Sequence, residues 1–431
     1  MKKTILIIIS LIFFIPKVFA ITLTEALTQA YKNNPELNAE RENIKISEED
    51  LNISKGEYLP TLTLSGSKSK EDTNKLTNQS GGDATITDVD PQSTSITIEQ
   101  TLIDFGRGAE YEKNKIGINL AKAKLLKKEQ DILYKAIEAY TGLILANEKF
   151  EINKANVNLL ERQVETDTIR LERGQVTISD VAQSESSLAE AQAKLIQAQN
   201  DVLTSKLNYE NIIGPLSNTN LLEKSSTINF VIPQNLNSAI ELSKKNNPDL
   251  NIALLEYKKS EKDTIIAKSD LSPTAKLSFE RSYSDDLSST YDEREKDILK
   301  ATVSWPFYSG GKNRAKYKKN INLQTRKRLL LDNTTKSNET IVASAWSNFQ
   351  SSKSLLNSVE LQVKAAEIAN EGITAEYESG VGRTTLEVIQ SNSFLLNAQI
   401  SLANSERNYL LSQFNLLKSI GLLNSDYLKI K

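Results

Sequence analysis

Two short breaks interrupt long runs of this chain that are predicted to be helical. Residues 173–181 read RGQVTISDV, and residues 379–388 read SGVGRTTLEV. Each break follows a very long proline-free segment and precedes a shorter one, which predicts the tip of a helical hairpin. Thr177 and either Thr384 or Thr385 suit the N-cap of the returning helix, because a hydroxyl can accept from unpaired first-turn amides. The alternative interpretation is an ordinary loop between bundle helices.

The neighbouring residues of both breaks also fit helix ends. Gly174 and Gly380 suit the left-handed residue that ends the preceding helix. Asp180 and Glu387 fall near the first turn of the next helix, where a carboxylate complements the helix dipole. The two breaks therefore predict two hairpin tips of similar design.

The first twenty residues have the pattern of a secretory signal peptide. A basic start with Lys2 and Lys3 precedes an apolar run over residues 5–15, and Ala20 stands at the predicted cleavage site. The alternative is an uncleaved anchor. The full chain has a formal charge of -2, and removal of the three lysines in this leader leaves -5.

Composition excludes several kinds of chemistry. The chain has no cysteine and no histidine, so it has no disulfide, no thiolate, no lipidation cysteine and neither the commonest general base nor the commonest metal ligand. We therefore expect no enzyme, no cofactor and no metal. The net charge gives no indication of nucleic-acid binding. The glycines before Lys312 lack the rest of a phosphate-binding loop.

The two halves of the chain repeat each other. Residues 23–37 read LTEALTQAYKNNPEL, and residues 236–250 read LNSAIELSKKNNPDL, at an offset of 213. Later the offset is about 207, for example from Val181 to Val388 and from Gly214 to Gly421. Proline sites and apolar positions in register predict one structural unit used twice.

We predict a mainly α-helical protein with a small β part, organised as a signal peptide (1–20), a first repeat (21–214), an equatorial linker (215–235), a second repeat (236–421) and a C-terminal equatorial tail (422–431). After its initial helices, the first repeat is predicted to contain strands at 61–70 and 93–104, a long helix at 109–173, a tip at 173–180 and a return helix at 177–213. The corresponding elements of the second repeat are strands at 274–283 and 297–307, a long helix at 313–379, a tip at 379–387 and a return helix at 385–420.

The predicted strands alternate polar and apolar residues, which is typical of a sheet with one apolar and one polar face. Residues 70–92 and 284–295 are predicted as exposed loops between them. Four strands cannot close a barrel, and open edges are not tolerated in lipid. Strands that enter a membrane would therefore need several chains: two chains give eight strands and a filled interior, and three give twelve and an open lumen. The alternative is a pair of soluble amphipathic hairpins.

Four aromatic residues lie where the strands meet the long helices: Phe105, Trp305, Phe307 and Tyr308. This position suits an interfacial aromatic belt. A packing cluster under the turn is the alternative.

The long helices carry a coiled-coil seam. Apolar residues recur in the first of them at steps of seven, four, three and four, at Leu126, Leu133, Ile137, Tyr140 and Ile144. A helix of this length extends roughly 95–100 Å. The return helix and the helix that starts at Pro35 or Pro248 together match that length, which predicts two short helices stacked end to end beside one long helix.

Several motifs together resemble the TolC family of outer-membrane efflux and secretion channels. They are the leader, the two NNP openings, the LIDFGRG turn at residues 102–108, the RGQVTISDVAQ tip and the GVGRTTLEVIQS tip. The resemblance covers essentially the whole mature chain. It implies a homotrimer with a twelve-stranded barrel in the outer membrane of a Gram-negative bacterium and a periplasmic tunnel of coiled-coil helices. It also implies an inner-membrane adaptor and a transporter of the ABC or RND type as partners.

The resemblance further implies roles for residues of the tips. The adaptor-docking positions correspond to Gly174, Gln175, Val176, Gly380, Val381, Gly382 and Thr384. Asp180 and Arg383 align with polar residues of the family's closed gate, and Tyr377 lies near its tyrosine, although one extra residue shifts this tip.

Glu387 and Gln390 stand where the family often has two aspartates that ring the constriction of the tunnel. A trimer would then carry three ring charges instead of six, which predicts weaker block by cations. The alternative for Glu387 is a helix first-turn carboxylate with no role in the lumen.

The sequence is compatible with three functions. The first is a passive exit duct of a tripartite export system, for type I protein secretion or multidrug efflux. The residues of the opening and tip motifs are most similar to those of the type I branch. The second is a periplasmic coiled-coil scaffold, which explains the helices but not the paired amphipathic strands. The third is a secreted enzyme, which the absence of histidine, cysteine and paired carboxylates disfavours.

Overall fold

The computed structural model describes residues 21–75, 85–216, 222–224, 232–288, 291–380 and 382–430. The predicted signal peptide, most of the predicted linker and Val381 lie outside the described residues. In chain order the elements are α1 (Leu23–Asn33), α2 (Pro35–Gly56), β1 (Thr61–Lys68), β2 (Glu71–Lys75), β3 (Thr85–Val89), β4 (Gln92–Ile103), α3 (Arg107–Glu172), α4 (Ile178–Ile212), α5 (Leu236–Asn246), α6 (Pro248–Ser269), β5 (Thr274–Ser288), β6 (Tyr291–Ser304), α7 (Lys312–Glu378), α8 (Thr385–Ser419) and α9 (Ser425–Leu428).

The chain is mainly helical with a small β part, as the sequence predicts. Helices in equivalent positions of the two halves have matched lengths: α1 and α5 have 11 residues each, and α2 and α6 have 22 each. The long helices α3 and α7 have 66 and 67 residues, and α4 and α8 have 35 each. None of the described helices is both long and apolar enough to cross a membrane.

The described chain divides into two compact units. The helical unit comprises the described residues of 1–38, 128–247 and 339–431, and the strand unit comprises those of 39–127 and 248–338. The hairpin tips belong to the helical unit and the strands to the other. Each unit has its own interior.

The core of the helical unit forms around the middle of α3. Leu133, Ile137 and Tyr140 of the predicted seam are completely buried there, among apolar residues of α1, α4, α7 and α8. The Tyr140 hydroxyl lies 2.8 Å from the backbone oxygen of Ile21 and 2.7 Å from that of Glu223. The described start of the chain and part of the predicted linker are therefore fixed to α3.

Asparagines join the ends of the return helices to the helices that begin with proline. The Asn34 Oδ1 accepts from two first-turn amides of α2 at 3.0 and 3.2 Å, and its Nδ2 donates to the backbone oxygen of Ile212 at 3.4 Å. In the other half, the Asn247 Nδ2 donates to the backbone oxygen of Ser419 at 3.0 Å. Both contacts satisfy a carbonyl that the end of a helix leaves unpaired.

The main sheet of the strand unit is antiparallel, in the order β1-β4-β5-β6. Its register pairs Leu62 with Ile98, Ile98 with Phe279, and Phe279 with Leu299. Residues that pair directly across strands share one face, so these four form an apolar row across the whole sheet. All four are exposed. Serines, threonines and charged residues occupy the opposite face, and β1 and β6 are its edges.

The prediction of an exposed loop at 70–92 is wrong in part. A two-stranded sheet of β2 and β3 lies within it, with Glu71 opposite Val89 and Lys75 opposite Thr85. The composition of this stretch is typical of loops, but backbone pairing needs only a partner strand, and β1 and β4 bring these segments side by side. The sheet extends in the same way into the predicted loop at 284–295, where β5 continues to Ser288 and β6 begins at Tyr291.

The last predicted strand, 297–307, ends earlier than expected. β6 stops at Ser304, and Pro306 follows, which has no N–H to donate to a ladder. Trp305, Phe307 and Tyr308 therefore lie beyond the sheet, between β6 and α7. All three are exposed, as is Phe105 after β4. The Trp305 and Phe307 rings pack edge to face at 5.7 Å, so these two residues contact each other but are not buried in a core.

Candidate functional site

The first hairpin tip turns immediately after the end of α3. Gly174 has a φ of +68°, and the N–H of Gln175 donates to the oxygen of Arg170 at 2.9 Å while the N–H of Gly174 donates to the oxygen of Leu171 at 2.9 Å. This pair of bonds is a Schellman motif, which satisfies carbonyls at the helix end. Gly174 and Gln175 are exposed, and Val176 is half-buried.

The returning helix α4 starts with a capping box. The Asp180 N–H donates to the Thr177 Oγ1 at 3.3 Å, and the Thr177 N–H donates to the Asp180 Oδ2 at 2.8 Å. The Thr177 hydroxyl also donates to that oxygen at 2.8 Å. These backbone and hydroxyl donors lower the pKa of Asp180. The Asp180 carboxylate thus accepts its hydrogen bonds from its own turn, and no contact joins it to Arg383 among the described residues.

The second tip also has a left-handed glycine and a threonine capping box, but its turn is one residue longer. Gly380 and Gly382 have φ values of +78° and +66°, and Val381 between them is outside the described residues. Thr384, and not Thr385, is the N-cap of α8. The Glu387 N–H donates to the Thr384 Oγ1 at 3.3 Å, and the Thr384 N–H donates to the Glu387 Oε2 at 2.9 Å.

Arg383 ties the second tip to the body of α7. Its Nε donates to the Glu376 Oε2 at 2.6 Å, and its Nη1 donates to the Glu387 Oε1 at 3.0 Å. The two carboxylates raise the pKa of Arg383, that of Glu376 most. The Thr384 N–H and then the Arg383 side chain lower the pKa of Glu387. A single guanidinium therefore bridges the end of one helix and the start of the next.

A buried polar network connects the helices of both hairpins just behind the tips. At its centre is the carboxylate of Asp167 on α3, whose exposed fraction is 0 %. It accepts from the hydroxyls of Tyr377 on α7 and Ser184 on α4. The Gln163 Nε2 donates to both of its oxygens, at 2.9 and 3.0 Å. The Tyr377 hydroxyl also lies 2.9 Å from the Thr385 Oγ1, so all four helices α3, α4, α7 and α8 participate.

Arg170 completes the environment of Tyr377. Its guanidinium lies 4.1 Å from the centroid of the tyrosine ring, and its Nη2 donates to the tyrosine's backbone oxygen at 2.8 Å. Burial, and then the bond to Asp167, raise the pKa of Tyr377 above the ordinary value of a phenol. A cation above the ring and a charged acceptor at its hydroxyl fix this side chain in place.

Glu387 and Gln390 lie on one groove between α7 and α8. Its volume is about 440 Å³, and Phe394 is also part of its lining. The groove is lined on α7 mainly by small residues, namely Ala365, Ala366 and Ala369. A second cavity of about 510 Å³, lined by α3, α4 and α8, also has Gln390 and Phe394 in its lining.

The residues that the sequence predicts for the tips do not include Asp167, Ser184, Arg170 or Gln163. A signal was present for Asp167. Asn153, Val157, Leu160 and Asp167 are buried and Val164 is half-buried, and these positions of α3 follow one another at intervals of four and three. An acidic residue on the buried stripe of a helix needs donors from the elements that pack on it.

Comparisons with known proteins agree with this architecture. A family model described as "Outer membrane efflux protein" matches residues 26–215 and 239–422. The chain is 26% identical over 413 residues to the outer membrane efflux protein BepC of Brucella suis, which covers 95% of the chain and 87% of BepC. It is 22% identical over 424 residues to the alkaline protease secretion protein AprF of Pseudomonas aeruginosa, with coverages of 96% and 87%. It is 24% identical over 416 residues to TolC of Escherichia coli, with coverages of 93% and 82%.

Solved structures share the fold. The CmeC outer membrane channel of Campylobacter jejuni matches with a TM-score of 0.80 at 14% identity, covering 93% of this chain and 85% of CmeC. The chain therefore belongs to the outer membrane efflux protein family, and the resemblance to TolC channels is confirmed. Its place is the outer membrane, and its function is that of an efflux or secretion channel component.

Proposed function

We propose that three copies of the chain close their sheets into one twelve-stranded outer-membrane barrel, continued by a periplasmic tunnel of helices. The observation that carries the proposal is the exposed apolar row Leu62, Ile98, Phe279 and Leu299 on a sheet with open edges at β1 and β6. An apolar face suits lipid, but unpaired edges do not, so β1 of one chain must pair with β6 of the next. Such head-to-tail contacts close into a ring.

Exposed apolar seams on the helices support the same assembly. On α4, Ile196, Leu203 and Leu207 face away from the chain's own core, at steps of seven and four. On α7, Leu361 and Ile368 do so at a step of seven. Repeats of this kind are the seams of coiled coils that need a partner helix, which neighbouring chains would supply.

The channel would act as the passive duct of a tripartite export system. The tips would receive an inner-membrane adaptor at Gly174, Gln175, Val176 and the second tip from Gly380 to Thr384. A transporter of the ABC or RND class would supply the energy. AprF is a protease secretion protein and BepC an efflux protein, so type I protein secretion and multidrug efflux are the two cargo classes.

The closed gate would consist of the polar contacts behind and at the tips. Tyr377 joins α7 to Asp167 of α3, and Arg383 holds the turn that leads into α8. No contact joins Asp180 to Arg383 among the described residues, so a link between them would form across two chains. Docking of the adaptor would open the duct by breaking these contacts. The matched helix lengths of the two halves support an internal duplication with the predicted boundaries.

The test of the duct is membrane fractionation followed by conductance measurement in planar bilayers. The proposal expects a heat-resistant trimer in the outer-membrane fraction that forms discrete channels. A periplasmic scaffold would instead remain in the soluble fraction and give no conductance. As an internal control, Leu62→Asp/Leu299→Asp on the apolar face should abolish insertion, whereas Thr63→Asp on the polar face should not.

Adaptor docking is tested by crosslinking in cells from a single cysteine. Gln175→Cys is the better position, because Gly174 and Gly380 have left-handed backbones that a cysteine would strain. A crosslink to a periplasmic adaptor is expected from Gln175→Cys and not from the exposed Gln197→Cys midway along α4. The adaptor captured there would also identify the cargo class.

A further inference from the structure

The first turns of α7 carry an unusual concentration of positive charge. Residues 312–328 read KNRAKYKKNINLQTRKR, with eight basic residues and no acidic one in 17. Like charges three and four residues apart destabilise a helix, so this composition opposes the local stability of α7. A surface that is retained at such a cost points to an anionic partner.

Only two of these eight side chains have carboxylate partners. The Lys316 Nζ lies 2.6 Å from the Asp270 Oδ2, and the Lys327 Nζ lies 2.6 Å from the Glu256 Oε2. The other six are exposed and form no ion pair within the described part of the chain: Lys312, Arg314, Lys318, Lys319, Arg326 and Arg328. Four of them, Lys312, Arg314, Lys318 and Lys319, lie within about 10 Å of the start of α7, and we call these four residues the basic surface.

The equivalent helix of the first half does not have this charge. Residues 107–123 at the start of α3 read RGAEYEKNKIGINLAKA, with four basic and two acidic residues. There the Lys113 Nζ lies 3.1 Å from both the Glu110 Oε1 and the Asp263 Oδ1. A turn from strand into long helix therefore does not itself require a basic helix start, and the charge on α7 is a separate property.

Exposed aromatic rings stand next to the basic surface. Phe307 and Tyr308, immediately before α7, are 85% and 84% exposed. Trp305 is 60% exposed, and its Nε1 donates to the backbone oxygen of Leu271 at 3.1 Å. Aromatic rings favour the boundary between headgroups and acyl chains, and basic side chains favour the phosphates just outside it.

The opposite end of the β5–β6 hairpin has the opposite charge. Near its turn, Asp285 pairs across the strands with Glu293, and Glu295 follows on the same strand. Within this hairpin, an anionic ligand would therefore be attracted to the helix end alone. The charge separation, the aromatic rings and the apolar sheet face belong to one unit of the protein.

We propose that the basic surface, together with Trp305, Phe307 and Tyr308, binds anionic phospholipid headgroups of the periplasmic leaflet of the outer membrane. The proposal rests on the proposed function, because it requires the strands to enter a bilayer. The recognised group is the phosphodiester of a lipid such as phosphatidylglycerol, which Arg and Lys side chains bind by charge-assisted hydrogen bonds. Because the two long helices differ, each chain would hold such lipid at α7 and not at α3.

Trp305 offers a local readout, since the chain has two tryptophans. In a Trp346→Phe background, the full-length channel is reconstituted into phosphatidylcholine vesicles. A small, equal fraction of brominated phosphatidylglycerol or brominated phosphatidylcholine then serves as quencher. The proposal expects the anionic lipid to be enriched at Trp305 at least about fivefold at low salt, a factor that one basic side chain near the surface can supply. The enrichment should fall as salt rises.

The test variant is Lys312→Gln/Arg314→Gln/Lys318→Gln/Lys319→Gln, which should lose the enrichment. The matched control removes four positive charges elsewhere in the same unit, as Lys115→Gln/Lys122→Gln/Lys124→Gln/Lys258→Gln, and should keep it. An equal loss in both variants would overturn the proposal, since it would reflect net charge alone.

The outcomes also separate this proposal from the proposed function. If neither brominated lipid quenches Trp305 and no channels form, the strands do not enter the bilayer and the proposed function fails. If both lipids quench equally in a conducting channel, the channel stands and lipid recognition is wrong. Equal quenching with reduced anion conductance of the test variant would assign the charges to the channel interior instead.

Discussion

The two hairpin tips build the same turn but connect it differently to the rest of the protein. Each has a left-handed glycine after the long helix and a threonine capping box before the return helix. In the first tip the box is closed by Asp180 alone. In the second, Arg383 reaches from the turn to Glu376 as well as to Glu387. The backbone turn is thus shared, and the charge clamp belongs to one tip.

This difference suggests a division of labour in gating. The cap of the first tip is closed within residues 177–180, whereas a rotation of the second turn relative to α7 would break the ion pair between Arg383 and Glu376. Behind both tips, Asp167 accepts hydrogen bonds from side chains of three helices and so links the two hairpins to each other. Loss of the buried network should therefore affect opening more than loss of either exposed tip contact.

The largest effect is expected for Asp167→Asn. A hydrogen bond to a buried charged group contributes about 1.5–3 kcal/mol, so the open state should gain about 10- to 100-fold in population. Single-channel open probability and vancomycin sensitivity of cells measure this gain. Asp201→Asn is the matched control, because the exposed Asp201 also accepts from a glutamine four residues before it. Equal open probabilities in both variants would contradict a gating role for the network.

Removal of the caps should have a smaller and unequal effect. Thr177→Ala should cost about 1 kcal/mol and raise hydrogen exchange in the first turn of α4 about fivefold. Thr384→Ala should raise exchange in α8 less, because Arg383 still holds Glu387. Mass spectrometry of the exchanged tips measures both, with Thr→Ser at each position restoring protection. A larger effect at the second tip would show that the arginine clamp does not support the cap.

Substitution of Glu387 and substitution of Arg383 should change the block of the channel by cations in opposite directions. Glu387→Ala should abolish block by added divalent cations, since the side chain supplies the predicted ring charge. Arg383→Gln should strengthen block by about threefold, a modest factor because solvent screens the pair. Arg173→Gln serves as the control, because it removes from the first tip an exposed arginine that forms no ion pair among the described residues. Unchanged block in Glu387→Ala would leave this residue as a helix cap only.

The smallest effect is expected when the pH is lowered. The pKa values of Asp180 and Glu387 are lowered by their capping contacts, so the stabilisation is complete above the unfolded pKa of about 4 and is lost as pH falls through the folded values. Exchange protection of both tips should be constant from pH 8 to 5 and decrease below about pH 4. Glu387→Gln should remove this decrease at the second tip and leave the first unchanged. A decrease near neutral pH would contradict this assignment.

Local features of the sequence predict the helical framework well. Glycine and threonine identify the tips because a helix end is decided by residues within about four positions of it. The seam of α3 follows from the spacing of apolar residues, and the alternating strands follow from the period of two. Several local motifs in one order along the chain predict the family, the outer membrane and the transport function, and the match to the family model and to its relatives confirms all three. The roles of the tip residues remain predictions.

Other features depend on contacts between distant parts of the chain. Composition predicts a loop where β2 and β3 pair, because pairing depends on the partner strand that β1 and β4 place beside it. The sequence by itself leaves Thr384 and Thr385 equivalent as caps. The fold gives them different tasks: Thr384 closes the box, while the Thr385 hydroxyl contacts Tyr377.

The sequence by itself predicted the order of the helices and their approximate ends, which strands have an apolar face, and a repeat of one unit in the two halves of the chain. Only the tertiary structure brought Asp167 to Tyr377, which is 210 residues away, and directed Arg383 to Glu376 and Glu387 rather than to Asp180. The physical reason is the separation along the chain of the residues that decide each feature. Caps and periodicity depend on neighbours in the chain, whereas a buried carboxylate finds its donors through the register in which whole helices pack.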